Sequence, residues 1–274
     1  MIMEPFHTED IASFLKLATV EGWVAEPWEF KLLLAEFPQG CFVARDDNGE
    51  SVGFVTSLCH LRSGWIGNLI VNPECRGIGI GVALFRKALE ALRVAGAQTI
   101  WLTASKAGVP LYEKHGFRRI DTIIRWVGAG RQRHGVYADA LKQEALTVTS
   151  HDLDSTVWGD RREALLKATS HRGLLLQNES AFIVRQPCGE AVQFGPFASL
   201  DTRSAAHLFD EAVVSVAAGT RIFLDVPRSN RGASRFLNRR GMRACGSNEL
   251  MYAGRRPDCR PELLYGLATP GSCG

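Results

Sequence analysis

The chain has 274 residues, 46% hydrophobic and 22% charged, which is enough apolar material for one large domain or two smaller ones. A net charge of +3 gives no reason to expect nucleic acid or an anionic membrane as partner, and the arginine-dense stretches at 128–135 and 239–243 read as solvated loops or helix ends. Seven scattered cysteines without a Cys-x-x-Cys pair and seven dispersed histidines argue against a disulfide framework and a metal site, while the absence of a leader-like start or a membrane-length apolar run makes a cytoplasmic location the expectation.

In chain order, Thr8 is a plausible cap for a helix carrying Ile11, Phe14, Leu15 and Ala18 on one face, with Gly22 as its stop. A second helix starts near Pro27, where proline suits a first turn, and ends before Pro38. The period then changes from helical to alternating. Strands are expected at 41–45 and 51–60, around the Asn48-Gly49 hairpin signal, and a third at 65–71. A glycine-rich turn leads into a helix of about 15 residues with Leu84, Phe85, Ala88, Leu89 and Leu92 on one face. A strand at 99–103, a short helix at 110–115 and a strand through Ile120, Ile123 and Trp126 complete the order ααβββαβαβ. The run from Gly128 to Gly135 is rich in turn formers and charge, and it is read as the end of the first lobe.

The stretch Val71-Asn72-Pro73-Glu74-Cys75-Arg76-Gly77-Ile78-Gly79-Ile80-Gly81 lies between a strand and a helix start. Closely spaced glycines let backbone N–H groups approach an anion, and the helix N-terminus adds unpaired donors and a favourable dipole. Neither common nucleotide motif fits. A Walker loop needs a Gly-Lys pair, and a dinucleotide fingerprint needs a third glycine where Val82 or Leu84 stands.

The pattern Arg-x-x-Gly-x-Gly at Arg76, Gly79 and Gly81, preceded by Val-x-Pro, resembles the pyrophosphate loop of the acetyl-CoA-dependent GNAT N-acetyltransferases. The later segment Pro110-Leu111-Tyr112-Glu113-Lys114-His115-Gly116-Phe117 is similar to that family's Leu-Tyr-x-x-x-Gly-Phe signature. The resemblance implies an α/β (α+β) fold whose mixed, mostly antiparallel sheet is flanked by helices, with acetyl-CoA as co-substrate and no metal. It implies that a splayed strand Leu69-Ile70-Val71 offers backbone groups to the pantetheine arm. Arg76, Gly77, Ile78, Gly79, Ile80, Gly81 and Val82 would hold the pyrophosphate, and Tyr112 would contact the cofactor as the general acid that protonates the leaving sulfur. Where the family often has a cofactor-contacting asparagine, seven residues before the tyrosine, this chain has Ser105. Glu21, Glu26, His60 and Glu74 are available as bases, and none is singled out.

The second half echoes the first. Aligning Gly241-Met242 with Gly116-Phe117 sets Asn230 opposite Ser105 and Leu237 opposite Tyr112, so the acid is lost. A nearly equal offset places Leu200, Asp201 and Arg203 against Arg76, Gly77 and Gly79, where a carboxylate and side chains would obstruct a pyrophosphate. The layout resembles bacterial two-lobe GNAT proteins: a catalytic domain at 1–128, a linker at 129–145 and a degenerate copy at 146–274. Residues 254–274, rich in proline and glycine, are not expected to form a helix and read as partly disordered, with one strand possible at 262–268.

The expected activity is transfer of an acetyl group to a primary amine by direct attack in a ternary complex. A small-molecule amine is the leading acceptor and a protein lysine the alternative. Trp28 and Trp65 could wall the acceptor cleft and Arg125 could read an anionic group. An acyl-CoA-responsive binding protein without turnover is the competing reading, and a nucleotide-binding enzyme a third. Oligomeric state is not written in these motifs.

Overall fold

The computed structural model describes residues 1–131 and 145–274, so most of the expected linker lies outside the described residues. The first half runs β1 (Ile2–Pro5), α1 (Ile11–Val20), α2 (Pro27–Glu36), β2 (Phe42–Arg45), β3 (Ser51–Cys59), β4 (Ser63–Val71), α3 (Ile80–Val94), β5 (Thr99–Ala104), α4 (Val109–Glu113) and β6 (Arg118–Ala129). The second runs α5 (Val148–Trp158), α6 (Glu163–Arg172), β7 (Leu174–Gln177), β8 (Ala181–Cys188), β9 (Ala191–Ser199), α7 (Thr202–Val214), β10 (Arg221–Pro227), α8 (Arg231–Arg239), β11 (Arg243–Gly254) and β12 (Leu264–Gly266). The expected order of the first half is present with one addition. Strand β1 precedes it, a four-residue edge strand ending in proline and paired antiparallel with β2, too short to show a period. Thr8 does not cap α1. It opens a 3-10 turn over Thr8–Asp10 in which the Asp10 carboxylate accepts the His7 N–H at 3.0 Å.

The strands form a single mixed, mostly antiparallel sheet in the order β1-β2-β3-β4-β5-β11-β6-β10-β9-β8-β7, with β12 joined to β9. Each half contributes one parallel pair, β4 with β5 and β9 with β10. At the centre the halves exchange strands. β11 of the second half lies between β5 and β6 of the first, and β6 pairs on its other side with β10. All three central pairings are antiparallel.

Three apolar clusters hold the sheet. One, around Phe6, Phe14, Phe30, Phe54 and Phe85, packs α1, α2 and α3 on the first half. Its counterpart around Phe194, Phe209, Phe236 and Leu237 packs α7 and α8 on the second. The third is built from both halves, with Trp65 and Trp101 each against Trp158, the last residue of α5, and Trp101 against Tyr252. Burying large rings at the shared strands gives the junction a core-like rather than surface-like character. No helix among the described residues is long and apolar enough to cross a membrane.

The last residues are ordered, contrary to the expectation from their proline and glycine content. β12 pairs antiparallel with β9, and beyond it Ala268, Ser272, Cys273 and Gly274 are buried. The segment is tied down by hydrogen bonds to its neighbours and within itself. Trp65 Nε1 donates to Gly271 O at 3.1 Å, Gln186 Nε2 to Ala268 O at 2.9 Å, and Cys273 N to Thr269 Oγ1 at 2.9 Å. Gly67 and Gly195, at comparable points of β4 and β9, make this route possible. A Cβ at either would overlap the Ser272 or Leu267 carbonyl.

Candidate active site

β4 and β5 are hydrogen-bonded only where Ser63–Trp65 face Thr99–Trp101; beyond that they separate. The bend has a local cause. Phe54 faces Ile70 whereas Thr56 faces Gly67, so β4 carries an extra residue, and Asn68 takes the left-handed conformation at φ +54°. An amide side chain tolerates that backbone, and here Asn68 Nδ2 donates to Thr56 Oγ1 at 3.0 Å. Strands that part in this way leave backbone groups without ladder partners, available to an inserted ligand.

A cavity of about 280 Å³ opens at the separation. Ile66 to Leu69 of β4, Thr103 of β5, Ser105 and Tyr112 form one side; Trp23 to Ala25 and Glu29 form another. The rest comes from Arg125 on β6, Asn248 on β11 and Pro270 to Ser272, so the second half supplies part of the wall. Tyr112 packs edge-on against Phe85, with ring centroids 5.2 Å apart, and burial pushes its phenol up to about 12. It is therefore a neutral proton donor across the physiological range.

At the far end of β4 lies the glycine loop. Asn72 caps a short turn by accepting the Glu74 N–H at 3.2 Å, Gly77 and Gly79 take φ of +85° and +91°, and Gly79 begins α3. Only glycine takes both conformations without strain. Ile78 is exposed at the crest while Ile80 is buried and anchors the loop to the core. Arg76 is not a free cation: its Nε donates to Val71 O at 2.9 Å and its Nη2 pairs with Glu21 at 2.6 Å. Gly81 is the second residue of α3, where an added Cβ would meet Val71 only at van der Waals distance, and Val82 follows. The first N–H groups of a helix have no intrahelical acceptor, so this end of α3 can receive an anion.

The remaining residues singled out from sequence are distributed differently. Trp65 is fully buried in the shared cluster. Trp28 donates from Nε1 to Glu26 at 3.0 Å, and the Arg172 guanidinium lies over its ring at 4.4 Å; Trp23 rather than Trp28 borders the cavity. Arg125 does line the cavity, but its fork is bound to Asp225 by Nε at 2.8 Å and Nη2 at 2.6 Å. Burial works against its charge and the Asp225 hydrogen bonds outweigh it, so its pKa is raised.

Of the carboxylates and histidine weighed as bases, Glu21 is taken by Arg76, and Glu26 is taken by Arg172, Trp28 and the Gly189 N–H. Glu74 is exposed, and His60, its Nε2 buried without a partner, is pushed down to about 3 by burial and then by Arg162. None of the four borders the cavity.

Glu29, which sequence reasoning passed over, does border it. It is 2% exposed, and burial foremost raises its carboxyl from 4.5 to about 7. A signal was available: Glu29 shares a helix face with the core residues Phe30 and Leu33, where an acidic residue is out of place.

The matching region of the second half is closed. β9 and β10 pair only at Val192–Gln193 and Ile222–Phe223, and the gap that follows is occupied by β12, with Leu267 N donating to Asp225 O at 2.9 Å. At the start of α7 the Asp201 carboxylate accepts the N–H groups of Arg203 at 2.9 Å and Ser204 at 2.8 Å, the donors an anion would use. Leu237 is fully buried in the core.

Residues 38–119 match an acetyltransferase (GNAT) domain model and residues 150–266 match a second acetyltransferase (GNAT) domain model. The chain is 24% identical over 277 residues to the uncharacterized N-acetyltransferase YitH of Bacillus subtilis, covering 95% of this chain and 94% of that protein. It is 32% identical over 114 residues to the uncharacterized N-acetyltransferase MJ1207 of Methanocaldococcus jannaschii, covering 36% of this chain and about half of that protein, 48%. Its architecture superposes on a candidate acetyltransferase from Pyrococcus horikoshii with a TM-score of 0.85 at 22% identity, covering 100% of this chain and 95% of that one.

Proposed function

Starting from the fact that this chain belongs to the GNAT N-acetyltransferases, we propose that it transfers an acetyl group from acetyl-CoA to a primary amine by direct attack in a ternary complex. We assign the chemistry to the first domain, residues 1–128, and a supporting role to the degenerate copy at 146–274. The observation that carries this reading is the run of open features along β4 in the first half: parted strands, a left-handed glycine loop at a helix start, and a neutral Tyr112 beside the cavity.

The fit to acetyl-CoA follows from that geometry. Leu69, Ile70 and Val71 present backbone to an extended arm, the loop from Arg76 to Val82 presents N–H groups to the pyrophosphate, and Ser105 lies on the cavity wall for a further hydrogen bond. When bound, acetyl-CoA supplies the activated thioester. Tyr112 gives its proton to the departing sulfur, which prevents thiolate charge from building up, a contribution of about 10²–10⁴ in rate for a positioned acid. Enclosure of the cavity by the 23–25 loop and the 270–272 segment favours a small amine over a lysine on a folded protein.

Calorimetric titration of acetyl-CoA into the protein and into an Arg76→Glu, Gly79→Glu double variant tests the reading. One equivalent bound by the parent and lost in the variant supports the assignment. Unchanged binding by the variant moves the site elsewhere, and no binding by the parent ends the transferase reading.

A further inference from the structure

Among the residues that line the cavity, Glu29 carries the only carboxyl group and Arg125 the only cationic side chain, and the Arg125 fork is already spent on Asp225. A buried carboxylate ordinarily has a cation or several donors to compensate it. Glu29 falls short of this. No ion pair reaches it among the described residues, and the Ser272 hydroxyl and the more distant Arg172 guanidinium, which favour its charged form, do not offset its burial. The neighbouring acids Glu21 and Glu26 are neutralised by Arg76 and Arg172, and Asp225 by Arg125, so the lack of an ion pair is particular to the acid that borders the cavity.

We propose that Glu29 is the general base, taking a proton from the acceptor's ammonium group inside the cavity it shares with Tyr112. This inference rests on the transfer reading and assigns a residue to it. Glu29 stands in the first turn of α2, whose Phe30 and Leu33 are fixed in the core, so its carboxyl is held in place by a rigid element. The titratable groups around it are Glu26 at the N-cap of α2, Arg172 on α6, and the thiols of Cys188 on β8 and Cys273 in the final segment, both kept neutral by burial; Arg125 and Tyr112 share the cavity. Desolvation dominates among these influences and sets the carboxyl near neutrality, where a base can both accept and release a proton.

The step balances. The Glu29 carboxylate takes one proton from the ammonium and leaves a neutral amine. The nitrogen bonds to the acyl carbon, the carbon–sulfur bond breaks, and the sulfur takes the Tyr112 proton. The surplus proton on nitrogen returns to the Tyr112 phenolate, and Glu29 passes its own to solvent. The products are an amide, a thiol and one proton.

The test is acetyl transfer by the full chain to a panel of small primary amines (ethanolamine, putrescine, tyramine and lysine methyl ester), followed from about pH 5.5 to about pH 9.5. For the parent, kcat/KM is expected to rise through about pH 7. Glu29→Gln is expected to lose that limb and about 10²-fold or more in kcat while keeping acetyl-CoA affinity, and Glu29→Asp to recover part of the rate. A Glu29→Gln enzyme with the parent's profile overturns the role of Glu29 alone. A parent that binds acetyl-CoA yet acetylates no amine overturns the transfer reading, and this inference with it. If Glu29→Gln folds poorly, the infrared carboxyl band of the parent decides. A buried carboxyl ionising through about pH 7 supports the assignment and the absence of one overturns it.

Discussion

Removing the Tyr112 hydroxyl with Tyr112→Phe leaves the ring and its edge-on contact with Phe85 in place, so any loss is chemical rather than structural. The expected outcome is a fall in kcat of about 10²–10⁴ with acetyl-CoA affinity unchanged, read by steady-state kinetics and calorimetry. Glu29 gives a stability test that does not depend on turnover. Its folded pKa, about 7, lies above the unfolded value of 4.5, so the protonated form favours the fold. That contribution is complete below about pH 4.5 and is lost as pH rises through about 7, amounting to roughly 3 kcal/mol. Glu29→Gln is therefore expected to be more stable than the parent at pH 8 and to lose this advantage in acid, measured by denaturant unfolding at several pH values; a constant difference would contradict the burial argument. The place of Tyr112 beside the cavity was legible because a signature surrounds it. For Glu29 the sequence offers only its place on the apolar face of α2, because its raised proton affinity comes foremost from burial in the fold, against which Ser272 and Arg172, both remote in sequence, act to lower it.

Elements with a strong period or firm punctuation were readable from sequence. α2 begins at Pro27 and α3 has its apolar face at Leu84, Phe85, Ala88, Leu89 and Leu92, as periodicity and capping rules imply. β1 has only four residues and no period, and the 264–274 segment has composition typical of loops. Both are ordered by partners that the local sequence does not reveal, β2 for the one and β9 with β4 for the other. The start of α7 shows how the second copy departs from the first. Asp201 does for this helix what the glycine loop leaves undone for α3, satisfying the first-turn donors internally. Asp201→Ala is expected to cost about 1 kcal/mol of stability, visible as a lower denaturation midpoint. It should not create a second acetyl-CoA site, since β12 still fills the gap between β9 and β10. Two equivalents bound by this variant in calorimetry would show that Asp201 alone closes the second copy.

At the scale of the whole molecule, pairing could not be read from the sequence, because the alternation that marks a strand says nothing about which strand lies beside it. The motif echo suggests two lobes in series. The exchange of β6 and β11 makes them one sheet, with a core that neither half completes: Trp65 and Trp101 from the first pack with Trp158 and Tyr252 from the second. A chain of residues 1–131 alone would lose β11 from between β5 and β6 and β10 from the outer side of β6. It would expose one edge of β5, both edges of β6 and the apolar surface beneath them, a combination that promotes association of chains. The cavity would lose Asn248 and the Pro270–Ser272 wall as well. Fragment 1–131 is therefore expected to aggregate or to lack a cooperative melt, whereas its co-expression with fragment 145–274 should give a soluble one-to-one complex binding a single acetyl-CoA. A monomeric fragment 1–131 that melts cooperatively and binds acetyl-CoA with the affinity of the full chain would mean that the strand exchange is dispensable, and that the second half contributes to acceptor binding alone.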